Sequence, residues 1–130
     1  MNQRTTLLTA AIMGILTVIL GASGAHGLKP MLVELGKVDT YELANRYQFY
    51  HVLALLATGI LMNFYSAKRL GYAALFFLLG IVLFSGSLYA LCFIKLKVLG
   101  PMTPVGGVFF ILGWVFVAMS VWRKTSPVQP

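Results

Sequence analysis

A chain of 130 residues has room for a single domain. Its composition, 59% hydrophobic and 10% charged with a mean hydropathy of +0.87, excludes an ordinary soluble domain and a disordered segment. One cysteine cannot build a disulfide scaffold either. The class that remains is an integral membrane protein, and we expect it to form one domain over residues 1–130.

The net charge of +7 comes largely from basic residues that stand singly or in pairs beside apolar runs. This distribution is typical of residues that anchor helix ends at lipid headgroups and set membrane topology. It lacks the basic stripe with interleaved polar residues that is typical of nucleic-acid binding. We therefore expect the lipid bilayer as a partner and no nucleic acid. The basic residues concerned are Arg4, Lys68, Arg69, Lys95, Lys97, Arg123 and Lys124.

Four runs without Asp, Glu, Lys or Arg are long enough to cross a bilayer, which takes about 20 residues. They are residues 5–25, 47–65, 70–94 and 105–122. Because no water inside the bilayer can bond the backbone amides, each run must be a helix. The sequence predicts an all-α integral membrane four-helix bundle with short loops and a longer first loop.

Local signals indicate where some of these helices begin. Asp39 or Thr40 can cap the second helix. Thr103 before Pro104 is typical of an N-cap followed by proline at the first helical position. Lys68 and Arg69 occupy a very short connection, so the second and third spans should form an antiparallel hairpin.

Small residues recur at helical spacing in three of the four spans. Small side chains let membrane helices approach closely, so we interpret these seams as packing surfaces. The seams are Ala10, Gly14, Thr17, Gly21 and Gly24 in the first span, Ala73, Gly80 and Ser87 in the third, and Gly106, Gly113 and Ser120 in the fourth.

The first span has a second interpretation. Arg4, the apolar run and then Ser23, Gly24 and Ala25 resemble a signal peptide with its cleavage site. The small-residue seam favours a retained helix, because a cleaved signal peptide has no need of a packing surface.

The orientation in the membrane follows only weakly from charge. With four spans, both termini lie on one side, and Lys and Arg are equally numerous on the two sides. Because Arg46 can lie within a helix rather than in a loop, we expect both termini in the cytoplasm.

Most of the unusual polar residues lie between residues 25 and 51, around the start of the second span. An ionisable residue inside a membrane segment is a functional candidate, and His51 begins an apolar stretch. We therefore predict a polar pocket beneath one membrane face, where Arg46 can hold a phosphate or carboxylate. The candidate residues are His26, Glu42, Arg46, Tyr47, Tyr50 and His51.

These residues also have a structural interpretation. His51 can be a neutral imidazole that hydrogen-bonds a neighbouring helix through Ser85 or Ser87, and His26 can simply close a turn. Arg46 can be an interfacial anchor paired with Glu42, because residues four apart on a helix are neighbours.

The sequence contains no recognisable catalytic constellation. Two histidines without a carboxylate or cysteine at ligand spacing are too few for a metal site. The segment 85–87 lacks the strand–turn–helix setting of a nucleophile elbow, and the glycines of residues 21–27 follow a membrane helix rather than a strand. We expect no catalytic residues, no metal and no cofactor.

Four sequence blocks resemble those of one family over nearly the whole chain. They are GASGAHGLK at 21–29, YQFYH at 47–51, LFSGSLY at 83–89, and the glycine-rich stretch 103–114. In this order they resemble the YgdD-like small membrane proteins, known as domain of unknown function 423. Ser23 stands where a larger residue such as phenylalanine would be expected, which leaves the match intact. The resemblance implies a multi-pass protein of the bacterial plasma (inner) membrane and assigns no catalytic residue.

Three functions compete on this basis. The first is a non-enzymatic packing, accessory or scaffold protein that associates with itself or with a larger membrane complex. The second is a small-molecule or lipid binder, or a transporter, built around His26, Arg46 and His51, with His51 carrying protons. The third is an intramembrane enzyme, which would require the two histidines to converge on a common point.

Overall fold

The computed structural model describes residues 1–123, and this range is helical apart from short connections. Lys124, one of the basic residues counted above, lies outside the described residues. The elements are α1 (Gln3–Ala25), α2 (Lys29–Leu35), α3 (Val38–Leu61), α4 (Ala67–Gly80), a π-helical segment (Ile81–Ser85), α5 (Gly86–Phe93) and α6 (Leu99–Trp122). The all-α prediction is confirmed for the described part of the chain.

The longer first loop contains a short helix, α2. Pro30 lies in its first turn, where a missing N–H removes no intrahelical bond. The helix ends at Leu35, and its C-cap is Gly36, whose φ of 64° is left-handed and therefore suits glycine. The Lys37 amide then donates to the Leu32 carbonyl at 2.9 Å, which closes the turn that leads into α3.

α3 begins at Val38, well before the predicted second span, and ends at Leu61 rather than residue 65. The prediction that Asp39 or Thr40 caps this helix is wrong, because the N-cap is Lys37 and makes no side-chain capping bond. Asp39 lies instead in the first turn, where its carboxylate interacts favourably with the positive end of the helix. The polar residues that precede the predicted span are therefore helical.

The third and fourth spans also differ from prediction at their ends. α4, the π-helical segment and α5 run without interruption from Ala67 to Phe93. Lys68 and Arg69 therefore lie in the first turn of α4 and not in the connection, where they were predicted. α6 begins at Leu99, so the predictions that Thr103 caps it and that Pro104 takes its first helical position are both wrong, and Pro104 lies inside the helix. Pro101 is tolerated there because the first N–H groups of a helix have no intrahelical acceptor. Thr103 lies inside the helix, and its hydroxyl is 2.6 Å from that of Ser87.

α1 packs antiparallel against α3 along the predicted seam. Ala10 and Thr17 are each 2% exposed. A Cβ atom at Gly14 would lie 3.7 Å from Val52 of α3, so the two helices are in close contact at this level. The packing prediction for the first span is confirmed, because its small residues lie where the backbones approach.

The seams of the third and fourth spans face each other through glycine and phenylalanine. At each contact, a Cβ atom added to the glycine would overlap the phenylalanine on the other helix. From one pair to the next, the residue number rises by three and then by four between residues 77 and 84. In α6 it falls by three and then by four, as expected for antiparallel helices. The pairs are Phe77–Gly113, Gly80–Phe110 and Phe84–Gly106.

Three helices of the described chain are long and apolar enough to cross a membrane: Gln3–Ala25, Ala67–Phe93 and Leu99–Trp122. α3, which contains most of the predicted second span, is not among them because its first half is polar. It contacts α1 as well as α4, the π-helical segment and α5. α3 thus packs against neighbours on more than one side, and its buried face includes Gln48, His51 and Thr58.

Candidate functional site

A cavity of about 300 Å³ opens where the end of α1 meets the starts of α2 and α3. We call it the α1–α3 cavity. It lies beside the most polar turns of α3. Its lining residues are Gly21, Gly24, Ala25, Lys29, Tyr41, Glu42, Asn45 and Arg46.

The wall of the α1–α3 cavity is held by hydrogen bonds from α3 to the backbone of α1. The Tyr41 hydroxyl donates to the Leu20 carbonyl at 2.6 Å, and the Asn45 amide donates to the Thr17 carbonyl at 3.0 Å. A Cβ atom at Gly24 would overlap the Tyr41 ring. Glycine is therefore required at this position for the tyrosine to reach the backbone of α1.

Three charged side chains from two helices line this cavity. Lys29 belongs to α2, while Glu42 and Arg46 lie one turn apart on α3. Within residues 1–123 none of the three makes a hydrogen bond or an ion pair to another side chain or to the backbone. The predicted Glu42–Arg46 ion pair is therefore not formed. The cavity wall carries two positive charges and one negative charge, all available to a ligand.

His51 is 6% exposed and has a partner for each ring nitrogen. Nδ1 lies 2.8 Å from the Tyr47 carbonyl oxygen, and Nε2 lies 3.2 Å from Nε1 of Trp114. An indole nitrogen can only donate, so Nε2 must accept and Nδ1 must carry the proton. The contacts thus define a neutral imidazole with both nitrogens engaged.

The expectation that His51 bonds Ser85 or Ser87 is wrong, although it does bond a neighbouring helix. The Ser85 hydroxyl donates to the Ala44 carbonyl at 2.7 Å, which links the π-helical segment to α3. Ser87 pairs with Thr103 of α6. Both serines already join helices, and the donor that reaches His51 is the indole on α6.

A second cavity, of about 540 Å³, lies beside His51 between α3, the π-helical segment and α6. We call it the α3–α6 cavity. The His51 ring stacks on Phe110 in its wall, with ring centroids 3.5 Å apart and planes 9° from parallel. This cavity is aromatic and apolar. Its lining residues are Tyr47, His51, Phe84, Pro104, Gly107, Val108, Phe110, Ile111 and Trp114.

The structure does not gather the six predicted residues into one pocket. Glu42 and Arg46 line the α1–α3 cavity, whereas Tyr47 and His51 line the α3–α6 cavity. The reason is helical geometry, because each residue turns the side chain by about 100° around the axis. Arg46 and Tyr47 therefore lie on different faces of α3, although they are adjacent in sequence.

The two remaining candidates line neither cavity. Tyr50 is 54% exposed, and its ring lies 6.1 Å from that of Tyr47. His26 is the exposed C-cap residue of α1. Since Gly14 lies level with Val52, His26 is twelve residues farther along α1, about 18 Å from the level of His51. The two histidines do not converge.

A chain of hydrogen bonds between α1, α3 and α5 was missed by the sequence analysis. Asn45 donates to the Thr17 carbonyl at 3.0 Å and to the Tyr89 hydroxyl at 3.1 Å, and Tyr89 donates to Gln48 at 2.7 Å. Asn45 and Gln48 are three residues apart, on one face of α3. Two amide side chains at helical spacing beside a membrane segment could have predicted these hydrogen bonds between helices.

Comparison with known proteins gives consistent matches among bacterial membrane proteins. The family described as "Protein of unknown function (DUF423)" matches residues 20–107. The "UPF0382 membrane protein SAB0533" of Staphylococcus aureus is 38% identical over 117 residues, which cover 90% of this chain and 94% of the relative. The "UPF0382 inner membrane protein YgdD" of Escherichia coli K12 is 39% identical over 125 residues, covering 95% and 93% of the two chains. No solved structure matches significantly.

Proposed function

From the premise that this chain belongs to the DUF423 family of membrane proteins of unknown function, we propose a non-enzymatic accessory or scaffold role. The protein resides in the bacterial plasma membrane and associates there with itself or with a larger membrane complex. The chain crosses the membrane four times. Besides the three most apolar helices, α3 is a membrane-spanning helix, and both termini lie in the cytoplasm.

The length of α3 and the burial of its polar side chains support the proposal that α3 also crosses the membrane. α3 has 24 residues, or about 36 Å of helix, which exceeds the roughly 30 Å of hydrocarbon in a bilayer. Polar residues are tolerated in a membrane helix when they face the bundle interior and find partners there. Gln48, His51 and Thr58 of α3 are all buried and hydrogen-bonded in this way.

The observation that carries the accessory role is how the interior polar side chains are used. Among the described residues, no buried side-chain nitrogen or oxygen lacks a hydrogen-bond partner. Several of these bonds join different helices, including Trp114 to His51 and Ser85 to Ala44. Polar groups that hold helices together support a rigid body that presents its outer surface to a partner.

Photo-crosslinking from the outer surface tests this role. A photoreactive residue at Ile15 of α1 or Ile111 of α6, which are 62% and 64% exposed, should yield a discrete crosslinked product in native membranes. The matched control is Leu55 of α3, which is fully buried and should yield only crosslinks within the chain. The proposal is contradicted if neither outer position gives a crosslinked product and the protein purifies without a partner in several mild detergents.

A second candidate function is ligand binding in the α1–α3 cavity. The specific observation in its favour is that Lys29, Glu42 and Arg46 line one cavity without partners among the described residues. His51 and His26 are not part of this candidate, because one lines the other cavity and the second lines neither. The substitution Arg46→Gln should then reduce ligand retention while the bundle stays folded.

A further inference from the structure

We propose that the α1–α3 cavity binds a zwitterionic headgroup that carries both a phosphate and a primary ammonium, the chemistry of ethanolamine phosphate. This inference rests on the second candidate function, binding in that cavity, and names its ligand. The same chemistry is offered by a phospholipid in the bilayer and by the free headgroup in solution.

Two cations from different helices can hold the phosphate. Lys29 lies at the start of α2 and Arg46 about two turns into the polar half of α3, and both line the cavity. The arginine guanidinium matches phosphate oxygens with two parallel N–H donors, and the lysine adds a point charge. Neither side chain has a partner within residues 1–123, so no existing ion pair must be broken.

Glu42 selects for the ammonium group. A glutamate four residues before an arginine on a helix would ordinarily pair with it, yet these two side chains remain apart and both line the cavity. A purely anionic headgroup would leave the Glu42 carboxylate facing like charge. A quaternary ammonium can neutralise the exposed Glu42 carboxylate but offers it no N–H donor. A primary ammonium satisfies the charge and the hydrogen bonds together.

Cavity size and position favour a headgroup over a larger ligand. A volume of about 300 Å³ is at the lower end for small-molecule sites. Gly21 and Gly24 line the cavity in the last turns of α1, which is apolar and long enough to cross the membrane. The end of such a helix lies at headgroup depth, because its 23 residues extend about 35 Å against roughly 30 Å of hydrocarbon.

Lipid retention by the full-length protein tests the assignment. The protein is reconstituted in nanodiscs with equal parts of phosphatidylethanolamine, phosphatidylglycerol and phosphatidylcholine, extracted in mild detergent, and its retained lipids are counted by native mass spectrometry. We expect phosphatidylethanolamine to predominate. Arg46→Gln should lower its retention about tenfold, the loss of one charge-assisted contact. Glu42→Gln should abolish the preference over phosphatidylglycerol.

Two further variants serve as controls. Arg4→Gln removes an exposed cation at the opposite end of α1 and should leave retention unchanged. Arg46→Lys keeps the charge and should retain an intermediate amount of lipid. Circular dichroism melting of each variant establishes that the bundle is folded.

Competition with free ethanolamine phosphate distinguishes the two sources of the headgroup. Displacement of the lipid by the free compound identifies a site for the headgroup alone, and its failure to displace a retained lipid identifies a site for the whole phospholipid. Retention that depends on Arg46 but shows no headgroup preference overturns this ligand and leaves binding in the cavity intact. If Arg46→Gln and Arg4→Gln retain equal amounts of lipid, both the proposed headgroup and the proposed binding in the α1–α3 cavity are overturned.

Discussion

The Trp114 indole on α6 donates a hydrogen bond over 3.2 Å to Nε2 of His51 on α3. This bond determines the tautomer, because it leaves Nδ1 to carry the proton that meets the Tyr47 carbonyl. A histidine with both nitrogens engaged is compatible with an apolar surrounding, whereas an unpaired one would carry a desolvation cost. The contact therefore explains how an ionisable residue can occupy the middle of the bundle.

Trp114→Phe should destabilise the bundle by about 1–3 kcal/mol, because it leaves the buried Nε2 of His51 without a donor. The double variant with His51→Phe should recover part of the loss, since an apolar ring at position 51 needs no donor and can still stack on Phe110. Thermal unfolding in detergent, followed by circular dichroism, measures both effects. A Trp114→Phe protein as stable as the unmodified protein would show that the bond contributes nothing.

Gly113→Ala should destabilise the contact between α4 and α6. The added Cβ would lie 2.6 Å from the ring of Phe77, which is fully buried. Overpacking of this kind costs about 1–3 kcal/mol. Gly107→Ala on the same helix is the matched control, because its Cβ would meet Phe84 at an ordinary 3.9 Å.

The control should be neutral or slightly stabilising, since alanine favours helix by up to about 1 kcal/mol over glycine. Unfolding midpoints of the two variants in the same detergent give the comparison. Equal midpoints would contradict the close approach of α4 and α6 at Phe77.

Asn45 and Tyr89 should be energetically coupled. Asn45→Ala removes hydrogen bonds to the Thr17 carbonyl and to the Tyr89 hydroxyl, and we expect a loss of about 1–3 kcal/mol. Tyr89→Phe removes the shared hydroxyl, which also donates to Gln48. A double-mutant cycle should give a coupling energy of about 0.5 kcal/mol or more. Strict additivity of the two substitutions would show that these bonds act independently.

Whether α3 crosses the membrane can be tested by finding the side of the membrane on which each connection lies. If α3 spans, the connection at 62–66 lies on the same side as both termini, and the connections at 26–37 and 94–98 lie on the other. If only the three most apolar helices span, the two termini lie on opposite sides. Fusions of a fluorescent protein and of alkaline phosphatase after residues 64, 96 and 130 distinguish these arrangements, and fluorescence at residue 130 reports a cytoplasmic C-terminus.

Much of the packing followed from residue size along the helices. The seam through Gly14 and Gly24 predicted the face of α1 that meets α3, because small side chains are useful only where backbones approach. The starts of α3 and α6 did not follow, since apolar composition marks the part of a helix inside the lipid and not its polar extension. Thr103 illustrates this, because a residue that fits an N-cap is used inside the helix to bind Ser87.

The sequence by itself determined that this is an all-helical membrane protein with defined packing faces, because hydrocarbon admits only helices here and close approach requires small residues. Only the tertiary structure decided which polar residues meet. Whether Arg46 shares a cavity with Lys29 or with His51 depends on how α3 is rotated between its neighbours, and that rotation results from packing all the helices at once. Spacing along one helix defines its faces, whereas the partner of each face is a property of the assembled bundle.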